Sequence, residues 1–197
     1  MRLPSGLRRR ARRAAVGAAA VLLFGGGFAA GWLTRGDDTG GWWPALREDE
    51  TPVRAEPVRD GNLAFQPTGI TCGLQWVVGT HADMEADGQY CRLSVIVTNV
   101  DSTFHDFQAE AQRIVDSANG RHPPDLDPMR IKRQPMEMTL GARDSVRLDL
   151  WFDIPDEVTA VAVAFVGDDD PSGVPSAVPP PRAPGGVLVE LPASAAA

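Results

Sequence analysis

The sequence predicts an all-β protein, an antiparallel β-sandwich carried behind a single N-terminal transmembrane or signal helix. Three observations predict it. Six arginines within residues 2–13 precede 20 residues without a charge. In the rest of the chain, apolar residues recur at every second position in several short runs, with no long amphipathic helix between them. Finally, two cysteines, Cys72 and Cys91, lie on the exported side of the uncharged run.

The uncharged run AAVGAAAVLLFGGGFAAGWL spans residues 14–33, the length that crosses a bilayer core. The basic residues 1–13 before it hold the N-terminus in the cytoplasm and send the rest outward. Two fates fit the run. Its length favours an uncleaved single-pass anchor, with Trp42 and Trp43 at the outer interface. Its most apolar part, residues 14–24, suits a signal segment, and Gly27-Phe28-Ala29 or Ala29-Ala30-Gly31 offers small residues for cleavage and secretion. The same Gly27 to Gly31 spacing matches a weak helix-pairing motif. With no cysteine at the end of the run, a lipoprotein anchor is excluded.

Of 19 bases, seven precede residue 36, leaving 12 against all 26 acids, a net −14 on the exported part. That charge repels phosphate backbones and argues against a nucleic-acid partner. The segment 34–57 is dense in charge, Gly and Pro and reads as a flexible stalk. Residues 58–192 are expected to form the domain, and 193–197 a disordered tail.

Within the domain, CRLSVIVTN places Cys91, Leu93, Val95 and Val97 on one face and Arg92, Ser94 and Thr98 on the other. DSVRLDLWFDI alternates Val146, Leu148, Leu150, Phe152 and Ile154 with Ser145, Arg147, Asp149, Trp151 and Asp153, a half-buried strand with its polar side outward. VTAVAVAFV and GVLVEL repeat the pattern, NLAFQP, GITCGL and MEMTL more weakly. QAEAQRIVD fits either a strand or a short helix. Residues 167–186 form a proline-rich excursion whose Asp168 to Asp170 triplet reads as a solvated turn. Phe104 and Phe107 are expected in the core.

An exported pair of cysteines oxidises, and Cys72 and Cys91 have only each other. The spacing is too short for the bridge that joins the two sheets of an antibody-type domain, so it should pin neighbouring strands. Between them, Asp83, Glu85 and Asp87 followed by Gly88 resemble the first half of an EF-hand loop. The twelfth position is Ser94 and not Glu, and flanking helices are missing, so a solvated connecting loop is the default and weak calcium binding the alternative. His81, His105 and His122 fall in expected loops outside any motif. Asp125 and Asp127 read as turn chemistry. No hydrolase, zinc-protease, phosphate-loop or dinucleotide motif occurs, so no enzyme, cofactor or metal site is expected.

The marks DGNLAFQPTGITCG, DGQYCRLSVIVTNV, DSANGR, LGARDSVRLDLWFDIP and GVLVEL come in order over residues 58–192. Together they resemble the telokin-like, immunoglobulin-type domain of unknown function found on exported proteins of Gram-positive bacteria, especially actinobacteria. The resemblance implies an immunoglobulin-like β-sandwich behind a signal peptide or anchor, and carries over no catalytic or binding residues. The expectation is an exported, membrane-tethered module that contacts a cell-envelope protein, the alternative a secreted structural or antigenic protein.

Overall fold

The alternation of NLAFQP and GITCGL is one continuous strand, not two. In the computed structural model, which describes residues 45–168 and 185–192, β3 runs through Leu63–Val78 and turns back at residues 79–82 into β4, Asp83–Asn99. Two shorter strands, β1 (Thr51–Pro52) and β2 (Val58–Asp60), pair with β3, and the long strand β9 (Ser145–Ile154) pairs with β4. All these pairings are antiparallel. A second sheet has the order β11-β10-β6-β7, from Val187–Glu190, Ala160–Phe165, Arg113–Asp116 and Arg121–His122. A third pairs β5 (His105–Gln108) with β8 (Glu137–Leu140). The chain is therefore all-β, with one six-residue helix, α1 (Leu126–Ile131), among the described residues. The expected membrane or signal segment 14–33, Trp42, Trp43 and the tail 193–197 lie outside them. Among the described residues no helix is long and apolar enough to cross a membrane.

The sheets share one core. Phe65 of β3 stacks on Phe165 of β10 at 4.8 Å between ring centroids and leans on Phe107 of β5 at 6.5 Å. Leu93, Val95 and Val97 of β4 and Leu148, Leu150 and Phe152 of β9 are all buried in it, as their alternation predicts. Each such side chain contributes about 1.5–3 kcal/mol of burial. Phe104 does not join them: it is 68% exposed, while Phe107 is fully buried. The ambiguous QAEAQRIVD resolves into a 3-10 turn, Ala109–Ala111, followed by β6.

Two expectations are corrected by the same feature. The stalk expected over 34–57 does not extend to residue 57, because residues 47–53 lie across the outer face of the first sheet. Arg47 makes a two-pronged pair with Asp149, at 2.7 and 3.2 Å, and Asp49 takes both its oxygens to Arg92. Glu50 is buried against Ser94, β1 pairs with Gly69 and Ile70, and Val53 enters the core. Gly69 makes this possible: a Cβ there would stand 2.9 Å from side-chain carbons of both Glu50 and Leu46. The strap in turn covers Ser94 and Asp149 on the face of β4 and β9 that their polar residues assign to solvent. On the same face Trp151 packs against Tyr90 and Arg92. Ser94, Asp149 and Trp151 are all buried, and β9 is covered on both faces from Leu148 to Phe152.

The free edge of β9 is closed as well. Gln134 accepts from the Asp149 backbone N–H at 2.8 Å, and the Asp125 N–H donates to the Trp151 carbonyl at 2.7 Å. Met129 of α1 is fully buried in the same core, and Lys132 Nζ donates to the Val78 carbonyl at 2.7 Å.

Cys72 and Cys91 form the disulfide, joining neighbouring strands β3 and β4 with their Cα atoms 4.0 Å apart. The two cysteines are 19 positions apart in sequence, and the segment they close contains the whole hairpin tip. Replacing both cysteines by serine should lower unfolding free energy by about 3 kcal/mol, the chain-entropy value for a loop of this size. Denaturant unfolding of the two forms measures it, and a loss under about 1 kcal/mol would show that strand pairing alone holds the hairpin.

Candidate functional site

The acidic residues singled out in the sequence do not form a loop. Asp83, Glu85 and Asp87 are the first alternate positions of β4, and the connecting turn is only residues 79–82, with His81 exposed in it. All three are exposed. Asp83 and Glu85 lie on one face opposite Val78 and Trp76. Asp83 Oδ1 also accepts from the Gly79 N–H at 3.2 Å, while Asp87 lies past them where the β3–β4 register shifts. Among the described residues no group of three or more His, Cys, Asp or Glu side chains is placed to hold a metal ion. Ser94, the twelfth position of the loop pattern, is buried under the strap.

The other candidates have structural partners. Asp125 caps α1 by accepting from the Asp127 N–H at 3.0 Å, as turn chemistry predicts. In DSANGR, Asp116 Oδ1 accepts from the Ala118 and Gly120 N–H groups at 2.8 and 2.7 Å, and its Oδ2 contacts His122 Nε2 at 2.7 Å. The His122 hydrogen bond, with the turn amides, holds the Asp116 carboxyl below its ordinary pKa against the effect of burial. A Cβ on Gly120 would collide with that carboxylate at 2.4 Å, which accounts for the Asp and Gly of the motif together.

His105, expected in a loop, starts β5 and is buried between two carboxylates. Its Nε2 lies 3.0 Å from Asp101 Oδ2 and its Nδ1 2.9 Å from Asp168 Oδ2. Asp168 is therefore no solvated turn residue; it also accepts from the Asp106 N–H at 3.2 Å. Asp169 and Asp170 lie outside the described residues. Thr103 Oγ1 sits 3.2 Å from His105 Nε2, which outlines a Thr-His-Asp relay. However, the Thr103 hydroxyl donates to Asp101 at 2.6 Å, and both ring nitrogens face carboxylates. The imidazolium form satisfies every one of these contacts, and an imidazolium is no general base. The group is a clasp between the 101–105 loop and the exit of β10.

The unsatisfied surface is at the hairpin tip. Beyond the disulfide, β9 ends its pairing at Gln89 and β1 at Ile70, so residues 76–78 and 83–85 pair only with each other. Trp76 stands opposite Glu85, and Val78 opposite Asp83. Directly opposed residues of an antiparallel pair share a face. Val77, on the other face, is buried, while Trp76 is 53% and Val78 61% exposed. Nearby, Asp87, Asp125, Asp153, Asp156 and Glu157 line an open cleft of 440 Å³ with Gly88, Ile154 and Pro155. Asp153 anchors its floor, accepting from the Asp87 and Gly88 N–H groups at 2.7 and 3.1 Å. Burial and the charges of Asp127, Asp153 and Asp87 push the Asp125 carboxyl up. Burial with the charges of Asp125, Asp153, Asp87 and Asp127 pushes Tyr90 up to about 12. This end of the molecule is a region of negative potential.

Trp76 went unremarked in the sequence. The signal was present in QWVV, where one apolar position of the alternation must face outward, but which of Trp76 and Val77 does so depends on the bulges that shift the β3–β4 register before Trp76.

No family model and no curated protein matches the chain. Among solved structures, the yjhA protein from Bacillus subtilis is similar over 62% of this chain and 88% of its own, with 14% identity and a TM-score of 0.46. At those values it transfers no residue role.

The clasp has a definite pH signature. Burial opposes charge on His105, but the hydrogen bonds and charges of Asp101 and Asp168 outweigh it and raise its pKa. Hydrogen bonds from Thr103 and His105 hold the Asp101 carboxyl far below the carboxylate range. The histidine contribution is complete below the unfolded value of about 6.5 and is lost as pH rises through the folded value. The aspartate contribution is present above about 3.9 and is lost as pH falls. The clasp should thus be strongest between about pH 4 and 6.5. Imidazole NMR titration should place His105 above 6.5, and His105→Gln should flatten the fall in melting temperature between pH 6 and 8; a His105 pKa below 6.5 would contradict the imidazolium clasp.

Proposed function

We propose that the protein is an exported, membrane-tethered binding module of the telokin-like immunoglobulin type, non-catalytic, acting by contact with a cell-envelope protein. The observation that carries this reading is the hairpin tip. Elsewhere on the described surface the polar side chains singled out in the sequence are committed to caps, turns and clasps. At the tip a tryptophan and a valine are exposed on a face that no other strand of the described residues covers. Exposed aromatic anchors of this kind dominate the energetics of protein interfaces. The 20-residue apolar run behind six arginines supports the tether and the outward orientation.

Two measurements on the native protein test the two halves of the proposal. Intact mass of membrane and medium fractions should show a full-length chain in the membrane; a chain starting near Ala30 in the medium would make it a released protein. A photo-crosslinking amino acid at position 76 should give adducts with an envelope protein, and one at the exposed Val161 should not. Identical adducts at both positions, or none at 76, would remove the hairpin tip as the binding surface.

A further inference from the structure

The tip also carries information about the chemistry of its partner, given the binding reading above. Its exposed face holds four side chains in register: Trp76 and Val78 on β3, Glu85 and Asp83 on β4. An indole with a carboxylate directly opposite, about 5 Å away between Cβ atoms, offers a cation two attractions at once. The ring face attracts it through the quadrupole, and the carboxylate attracts it by charge and hydrogen bonding. Val78 supplies apolar surface for the methylene stem of a long basic side chain. Past the register shift, Asp87 lines the neighbouring cleft, which holds five acids and no base.

Of the bordering bases, Arg130 pairs with Asp127, and Lys132 is held on the Val78 carbonyl, where it keeps its charge behind the strand and is outnumbered by the acids. The acids, in turn, are strung along a strand at alternate positions and do not converge on one point. That spacing suits several cations in a row better than a single metal ion. A lipid surface is the other occupant an exposed tryptophan suggests, but a row of carboxylates repels the anionic headgroups that draw most peripheral proteins to membranes.

We propose that the face Trp76, Val78, Asp83 and Glu85 is a docking site for an extended Lys- or Arg-bearing segment of a partner protein, with one cationic group seated over the Trp76 indole beside Glu85 and its neighbours along the carboxylate row. The proposal rests on the hairpin tip being the binding surface and adds the charge of what binds there.

The test uses the full chain in non-ionic detergent and a fluorescent octa-arginine peptide as probe. Saturable binding is expected, weakened about tenfold by Trp76→Ala and again by Asp83→Asn with Glu85→Gln, and weakened by salt. Glu110→Gln with Glu137→Gln, exposed acids on other elements, should leave it unchanged. Equal loss from both acid pairs would mean diffuse attraction by net charge and would overturn the site. Insertion of Trp76 into anionic vesicles in preference to the peptide would overturn it in favour of a membrane. No peptide binding while position 76 still crosslinks to an envelope protein would refute the cationic partner and leave the binding reading standing. Specific peptide binding without any crosslink at 76 would support the cationic chemistry and refute the envelope partner.

Discussion

The β3–β4 hairpin, stapled by Cys72–Cys91, is the constraint on which the other elements depend. Its strands are 16 and 17 residues long, and each serves as the template for a further pairing: β1 and β2 on β3, β9 on β4. The register shifts three times along it, between Pro67 and Gly69, between Thr71 and Leu74, and between Leu74 and Trp76. Bulges of this kind increase local twist and re-aim side chains. The disulfide sits at the middle shift, where ladder hydrogen bonding is interrupted and a covalent link has most to replace. Past it, the tip is held by α1, with Met129 in the core and Lys132 on Val78. The exposed tryptophan is thus presented on a braced support, which reduces the ordering cost of any contact it makes.

The inward faces of the strands were legible in the sequence because a period of two, once one member is fixed in the core, fixes every other member. The outward faces were not. Ser94, Asp149 and Trp151 fall on the side that polarity assigns to solvent. The first two are buried because a charged segment folds back over them, and Trp151 packs against Tyr90 and Arg92 of β4. Charge in residues 47–50 reads as solvation only when its partners are unknown. Here Arg47 meets Asp149 across 102 positions and Asp49 meets Arg92 across 43. No local pattern encodes such pairings. Gly69 was the one local trace, since a glycine inside a strand marks a close approach of something else. The DSANGR motif was legible as a mark but not as a mechanism until Asp116 was seen closing its own turn. The candidate site was the least legible part, because whether Trp76 or Val77 faces water is decided by the register shifts and not by composition.

The strap also explains how a chain so acidic keeps a stable sheet. Burying Glu50 and Asp149 near each other would be costly alone, since a desolvated carboxylate loses several kcal/mol of hydration. Arg47 lies between them, donating to Glu50 Oε1, Asp149 and Ser94 Oγ from one guanidinium. Its planar fork can serve several acceptors at fixed angles, and the pair with Asp149 raises its own pKa further. A lysine could not reproduce that arrangement. Arg92, on the same face past the Leu93–Leu150 pair, repeats the device, gripping Asp49 and Thr71 while its guanidinium lies 5.8 Å from the centre of the Trp151 ring.

Two populations of acids follow from this. One group is answered by bases or amides within the fold: Asp49, Glu50 and Asp149 under the strap, Asp101 and Asp168 on His105, Asp116 in its turn. Their cost is met internally, and their effect outside the molecule is small. The other group, Asp83, Glu85, Asp87, Asp125, Asp153, Asp156 and Glu157, gathers where the two long strands overrun their neighbours. Asp153 accepts from two amides and Asp125 and Asp83 from one each, and those dipoles do not cancel a full charge. Burial first, and then the charges of these acids, push the Tyr90 and Asp125 pKa values up. Exposed acids such as Glu110 and Glu137 lie on other elements too; what distinguishes the tip is that several stand together near an exposed tryptophan. Trp76 and the acids beside it thus share one end of the long hairpin, the end that α1 braces.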